Sequence, residues 1–240
     1  MKKPDIWKGL TFLLLAFFIL FVVYPLFLIL YQSVVSPETH ALTFDYFTRF
    51  FARKFYWSTL VNSFKVTVCS TLLAAIIGLP MAYLLRSYKI PFSKYVNILI
   101  VISYLSPPFI GAYAWIQLLG RNGFITQLFN SAFGVQFGGI YGFAGIVLVF
   151  SLQSFPLIYM YVSGALKNLD SSLNEAAESL GCNAFQRVTQ IILPLVMPSL
   201  LAGSLLVFMR VFSDFGTPML IGEGFKTFPV LIYTQFMGEV

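Results

Sequence analysis

The chain has 240 residues, of which 58% are hydrophobic and 10% charged, with a formal net charge of +6 and a mean hydropathy of +0.84. A soluble globular domain carries roughly 25% charged residues, so this composition excludes an ordinary water-soluble fold and points to a polytopic membrane protein. The basic residues stand singly or in small groups beside apolar runs rather than in one patch, which sets nucleic-acid binding aside.

A helix crossing about 30 Å of hydrocarbon needs about 20 mostly apolar residues. Five stretches qualify: 10–31, preceded by Lys2, Lys3 and Lys8; 60–85, followed by Arg86, Lys89 and Lys94; 95–119, interrupted by Pro107 and Pro108; 140–161; and 195–215. The first run is too long for a signal peptide, and no small-residue cleavage site follows it. The pattern predicts an all-α polytopic membrane helical bundle of about five transmembrane helices. Ala74, Gly78 and Ala82 form a small-xxx-small row on the second run, and Gly138 and Gly142 repeat the spacing at the mouth of the fourth. Such rows either let helices approach closely or reflect how common small residues are in membrane helices. Pro107 and Pro108 remove two backbone donors, so the third run must kink or break. The break either borders a transport pathway or is a plain structural kink. Cys69 in an apolar run and Cys182 in a polar one predict two free thiols, with Cys69 buried in the second span.

With the N-terminus inside, the inner loops hold Lys2, Lys3, Lys8, Arg86, Lys89, Lys94, Lys167 and Arg187, and the outer loops hold Arg49, Arg53, Lys54, Arg121 and Lys226. This bias favours a cytoplasmic N-terminus. No sixth apolar run precedes Val240, so a single transmembrane domain over 1–240, incomplete at its C-terminus, is expected, with a core over 60–215 and a cytoplasmic loop at 164–194.

That loop is the most polar, most helix-ready part of the chain. Ser172-x-x-Glu175 is a capping box. Leu173, Ala176, Ala177 and Leu180 share one helical face, and Gly181 supplies a left-handed C-terminal cap. Asn183-x-x-Gln186 can cap a second helix with Phe185, Val188, Ile191 and Ile192 as its apolar positions, and Pro194 follows where the fifth span begins. The first helix is too short to be stable alone in water. Its flat, alanine-rich face suits docking into a groove, or packing beneath its own bundle; spacing alone leaves both open.

The stretch Glu175-Ala176-Ala177, Gly181, Ile191-x-Leu193-Pro194 resembles the cytoplasmic EAA loop of the binding-protein-dependent ABC importer permeases, at every fixed position and both spacings. Ala114-Trp115 and the following LLGRNG also look like that family, and 212–236 is most similar to its iron(III) branch, in which a polypeptide usually holds two homologous halves. The resemblance implies a type I permease-like bundle with a short cytoplasmic coupling helix, in the cell inner membrane. It also implies three partners: a dimer of ATP-hydrolysing subunits docked at Glu175, Ala176, Ala177, Leu180 and Gly181, an extracytoplasmic solute-binding protein, and a second permease half or subunit. Iron(III) is the implied solute; permeases for polyamines or 2-aminoethylphosphonate are near relatives.

The remaining polar residues bear on mechanism. Arg210 and Asp214 are four apart, so they can pair on one helical face, as a gating or pathway pair or as an interfacial pair that snorkels; Lys65 takes the same two readings. His40, the only histidine, cannot build a multi-histidine metal site, so no metal ligation and no cofactor is expected. Gly224-Phe225-Lys226-Thr227 lacks phosphate-loop spacing, so ATP chemistry is expected on a separate subunit. A membrane enzyme would need a nucleophile or metal cluster, and an ion-coupled transporter mid-membrane carboxylates. Neither pattern is present in the sequence, whereas a non-transporting structural subunit stays open.

Overall fold

The computed structural model describes residues 6–37, 40–88, 90–134, 138–169, 177, 179 and 181–238. It is all-α; among the described residues β-type pairing is confined to one isolated bridge, Val35 with Leu42. By contacts the chain divides into two compact units, Met1–Trp57 and Ser58–Val240.

The first unit holds α1 (Ile6–Val34) and α2 (Asp45–Ala52). Residues 6–32 of α1 are all exposed, which suits a helix whose surroundings are as apolar as its side chains. A π-turn, Ile19–Val23, comes two residues before Pro25. Proline crowds the carbonyl four residues back and brings no N–H, and a wider turn removes that conflict without ending the helix. On α2, Arg49 pairs with Asp45 at 3.2 Å, and Phe50 stacks on Tyr56 at 5.5 Å.

α3 (Lys54–Ser87) leads into the second unit. Its 34 residues span about 51 Å at 1.5 Å each, more than a hydrocarbon core requires. Its buried positions are Thr59, Ser63, Val66, Thr67, Ser70, Thr71, Ala74, Gly78 and Ala82, while Phe64, Val68, Leu72 and Ile76 face outward. In water that pattern would be inside out. In lipid no hydrophobic force separates the faces, so small and hydroxyl-bearing residues collect where backbones approach. Cys69 lies on the outward face, not in the packed seam expected for it.

The prolines at 107 and 108 break the third run. α4 (Ser93–Tyr104) ends before them and α5 (Pro108–Leu119) starts at them. Pro107 is the N-cap, and its carbonyl accepts the N–H of Gly111 at 3.0 Å. A proline at the first helical position loses nothing, because that N–H has no partner in a helix anyway. With α6 (Phe124–Phe133), the two halves are bent by 111°. The run 95–119 is therefore not one straight crossing; among the described residues four helices are long and apolar enough to span a membrane, or five if this bent pair counts as one span.

α7 (Gly142–Lys167) is the axis of the unit, buried along Ile146, Val149, Phe150, Leu157, Ile158 and Val162. A Cβ on Gly78 of α3 would lie 3.2 Å from Ile158 Cβ, so the row around Gly78 is a packing seam. A methyl added to Gly138 or Gly142 would meet nothing within 4 Å, and Gly142 instead has φ +78 at the entry to α7; that second row does not pack. Ser151 Oγ reaches the Ser70 carbonyl at 3.3 Å, and Tyr159 donates its hydroxyl to Asn97 Oδ1 on α4. α8 (Arg187–Ser213) packs along α7, where Gly203 meets Tyr161. α9 (Gly216–Ile221) and α10 (Phe228–Gly238) complete the unit.

At one end of this bundle Asn62 Nδ2 donates to the Lys226 carbonyl at 3.1 Å, and the Phe228 N–H to Ser63 Oγ at 2.7 Å. Arg121 pairs with Glu223 at 2.5 Å and lies over the Tyr141 ring at 4.6 Å. The opposite end carries Ser87, Lys167 and the polar loop.

Candidate functional site

The polar loop leads from the end of α7 to the start of α8. Glu175, Ala176, Leu180 and the Ser172–Glu175 capping box lie outside the described residues. Ala177 is helical and buried. Gly181 has φ +81, and the Cys182 N–H donates to the Ala177 carbonyl at 3.0 Å. A bond of that reach across a left-handed glycine is the Schellman helix stop, so the cap expected at Gly181 is present. Next, the Asn183 N–H donates to Gln186 Oε1 at 3.0 Å and the Gln186 N–H to Asn183 Oδ1 at 2.8 Å. This reciprocal exchange satisfies two amide donors that a helix start leaves open.

The second helix is not the separate element its spacing suggests. Ala184–Gln186 passes through a π-turn, Arg187–Ile192, straight into Leu193–Ser213. Pro194 sits inside this continuous helix, two residues past the π-turn, as Pro25 does in α1. A turn of the loop is therefore one rigid piece with the membrane span. Ile191 and Leu193 are half-buried and Pro194 is exposed. Leu193, Val188 and Ile192 line an apolar cavity of about 130 Å³ with Leu79, Pro80, Tyr83 and Leu166. The loop thus meets α3 and α7 through side chains that carry no charge.

The second group of candidates lies near the break. Asp214 does not continue the helix: its ψ is 126, and its Oδ1 accepts the Thr217 N–H at 3.0 Å. Arg210 and Asp214 therefore do not meet as a helical ion pair, although the guanidinium still attracts the carboxylate across the cleft they share. The helix ends at Ser213, and a carboxylate one residue beyond it caps α9 instead. The Arg210 guanidinium lies 4.6 Å above the ring of Tyr104, the last residue of α4. Arg210, Ser213, Asp214, Phe215, Gly216 and Phe109 line a cleft of about 380 Å³. Phe109 directly follows Pro108, and its ring packs edge-on against Phe215 at 5.3 Å. Pro107 is exposed at the break. Phe109 thus joins the proline break to the segment carrying Arg210 and Asp214. Lys65 is exposed on α3 and is not among the residues lining this cleft.

Sequence reasoning missed two members. Tyr104 holds Arg210 by its ring face. Gln153 on α7 has a buried Nε2 without a hydrogen-bond partner among the described residues, and a methyl on Gly111 of α5 would lie 2.6 Å from it. Neither carries a local signal, because both are defined by helices distant in sequence. Asp214-x-x-Thr217 with Pro218 was legible as a helix start. Among the described residues no group of three or more His, Cys, Asp or Glu side chains is placed to hold a metal ion.

A family model described as binding-protein-dependent transport system inner membrane component matches residues 74–239. A putative ferric transport system permease protein of Haemophilus influenzae is 28% identical over 231 residues, 96% of this chain and 36% of the relative. A molybdenum transport system permease protein of the same organism is 31% identical over 182 residues, 74% of this chain and 78% of the relative. The chain spans about a third of the length of the ferric-transport relatives it matches. A bacterial alginate ABC transporter, solved with an alginate pentasaccharide-bound periplasmic protein, superposes with a TM-score of 0.79 at 15% identity, over 98% of this chain and 84% of that one.

Proposed function

This chain belongs to the family of binding-protein-dependent transport system inner membrane components, and on that premise we propose that it is a transmembrane permease subunit of an ATP-driven ABC importer. In this reading it forms one permease domain and half of a solute pathway. A solute-binding protein delivers cargo at the outer face, and a dimer of separate ATPase subunits docks at the loop that ends at Gly181. The N-terminus is cytoplasmic, and this chain hydrolyses nothing itself.

The observation that carries the reading is the loop's construction. The helix stop at Gly181 and the exchange between Asn183 and Gln186 lead without interruption into α8. A push on a short docked helix would therefore reach the membrane through one continuous rod and through the apolar contacts of Leu193 and Ile192 with α3. The solute reading is iron(III), supported by the match of nearly the whole chain to the ferric-transport relative; 2-aminoethylphosphonate or a polyamine is the alternative.

Half-buried Cys182 supplies the test. An impermeant maleimide should label it in inside-out vesicles and not in right-side-out ones, and the co-expressed ATPase subunit should protect it. Labelling from the outside would overturn the orientation, and cytoplasmic labelling without protection would overturn the docking.

A further inference from the structure

Both ends of α2 are tied to the ends of membrane-spanning helices. After α1 the chain turns and comes back to it: Val35 bridges Leu42, the Ser36 N–H donates to the Ala41 carbonyl at 3.0 Å, and the Thr43 N–H donates to the Val34 carbonyl at 2.8 Å. α2 starts two residues after Thr43, and at its other end only Arg53 separates Ala52 from α3. The apolar run of α1 ends at residue 31 and that of α3 begins at residue 60. At 1.5 Å per residue, Val34 stands about 5 Å and Lys54 about 9 Å beyond those runs, which is about the depth of a headgroup layer. A helix held at headgroup level by both ends lies along the membrane surface.

The side chains match that placement. Phe44, Phe47 and Phe51 share one face, and Asp45, Arg49 and Arg53 share the opposite one. All three phenylalanines are exposed, and Phe51 carries their row on to exposed Trp57 at the head of α3, with 5.7 Å between the rings. An uncovered apolar row of this kind marks a contact surface, and this one continues the outward apolar surface of the spans on either side. Asp45 pairs with Arg49, so Arg53 and Lys54 leave residues 45–54 with a net charge of +2, three basic less one acidic. That is the sign phosphate headgroups attract. We infer that α2 is an interfacial helix whose partner is the lipid surface: Phe44, Phe47 and Phe51 enter the acyl boundary, and Arg49, Arg53 and Lys54 lie among the phosphates. With the cytoplasmic N-terminus of the permease reading, this is the outer leaflet. The inference itself needs only that α1 and α3 cross the membrane.

The test uses the full-length polypeptide in phosphatidylethanolamine–phosphatidylglycerol vesicles, with Cys69→Ser and Cys182→Ser removing the free thiols. A nitroxide is attached in turn at Phe47→Cys, Phe51→Cys and Arg49→Cys. Its collisions with oxygen, which concentrates in acyl chains, are compared with its collisions with a water-soluble nickel chelate. The oxygen-to-nickel ratio should be at least about threefold higher at 47 and 51 than at 49. Equal ratios at the three positions would place α2 in water. Shielding of 47 and 51 from both reagents would show a protein covering that face. Either result overturns the inference. Trp57 gives a second readout with every side chain of α2 native. In a Trp7→Phe, Trp115→Phe background, lipid brominated beside the headgroup should quench its fluorescence more than lipid brominated at the chain end. No quenching, or stronger quenching from the chain end, would also overturn the inference. None of these outcomes turns on uptake, so failure here leaves the permease reading intact.

Discussion

Gly78 on α3 faces the carbonyl of Phe155 on α7, so closely that a methyl group at Gly78 would stand 2.9 Å from that oxygen and 3.2 Å from Ile158 Cβ. The oxygen belongs to backbone and cannot swing aside. Overpacking of this kind costs about 1–3 kcal/mol. Gly78→Ala should therefore lower the Tm of the detergent-solubilised protein, and Gly78→Leu should lower it further. Gly164, on α7 with nothing within 4 Å of an added methyl, is the contrast. Gly164→Ala should keep or raise Tm, since glycine inside a helix costs about 0.5–1 kcal/mol relative to alanine. Equal behaviour of Gly78→Ala and Gly164→Ala would remove the seam.

At Gly181 the constraint is different. A side chain there would meet nothing within 4 Å, yet φ is +81, so the penalty is conformational rather than steric. A side chain in the left-handed region costs about 1–2 kcal/mol, and a β-branched one fits it least. Gly181→Val should abolish ATP-dependent uptake while membrane insertion, read by protease accessibility, stays normal. Gly181→Asn, which tolerates that region, should keep a substantial part of the uptake. Wild-type uptake by the valine variant would take the coupling role from the loop.

The reciprocal bonds of Asn183 and Gln186 act as one unit. Asn183→Ala should cost about 0.5–2 kcal/mol in local helix stability, and the double variant with Gln186→Ala should cost less than the sum of the singles. Amide hydrogen exchange over residues 184–187 is the readout. Additive effects would mean that the two bonds form independently.

Arg121 and Glu223 are both substantially exposed, at 63% and 43% of their side chains. Exposed pairs contribute about 0–1 kcal/mol, so a double-mutant cycle should return less than about 1 kcal/mol. Arg121→Ala should destabilise more than Glu223→Ala, because it also removes the contact with the Tyr141 ring. A larger loss at Glu223 would show that the carboxylate, not the ring, holds this loop.

Much of this molecule was written along the chain. The spans at 10–31, 60–85, 140–161 and 195–215 follow from apolar length alone, because in lipid only a helix satisfies its own backbone. The stop at Gly181, the bonds between Asn183 and Gln186, and the break at Pro107 and Pro108 are local, set by φ and by missing or reachable donors. What the tertiary structure decided is where those pieces meet. Cys69 faces outward and Gly78 inward on the same helix, a choice made by which face α7 covers. Pro194 lies within a continuous helix because a π-turn absorbs it. The Asp214 carboxylate caps α9, and Arg210 comes to rest on Tyr104, far earlier in the chain. Those outcomes depend on competition between distant partners, and no spacing rule within one helix contains both competitors.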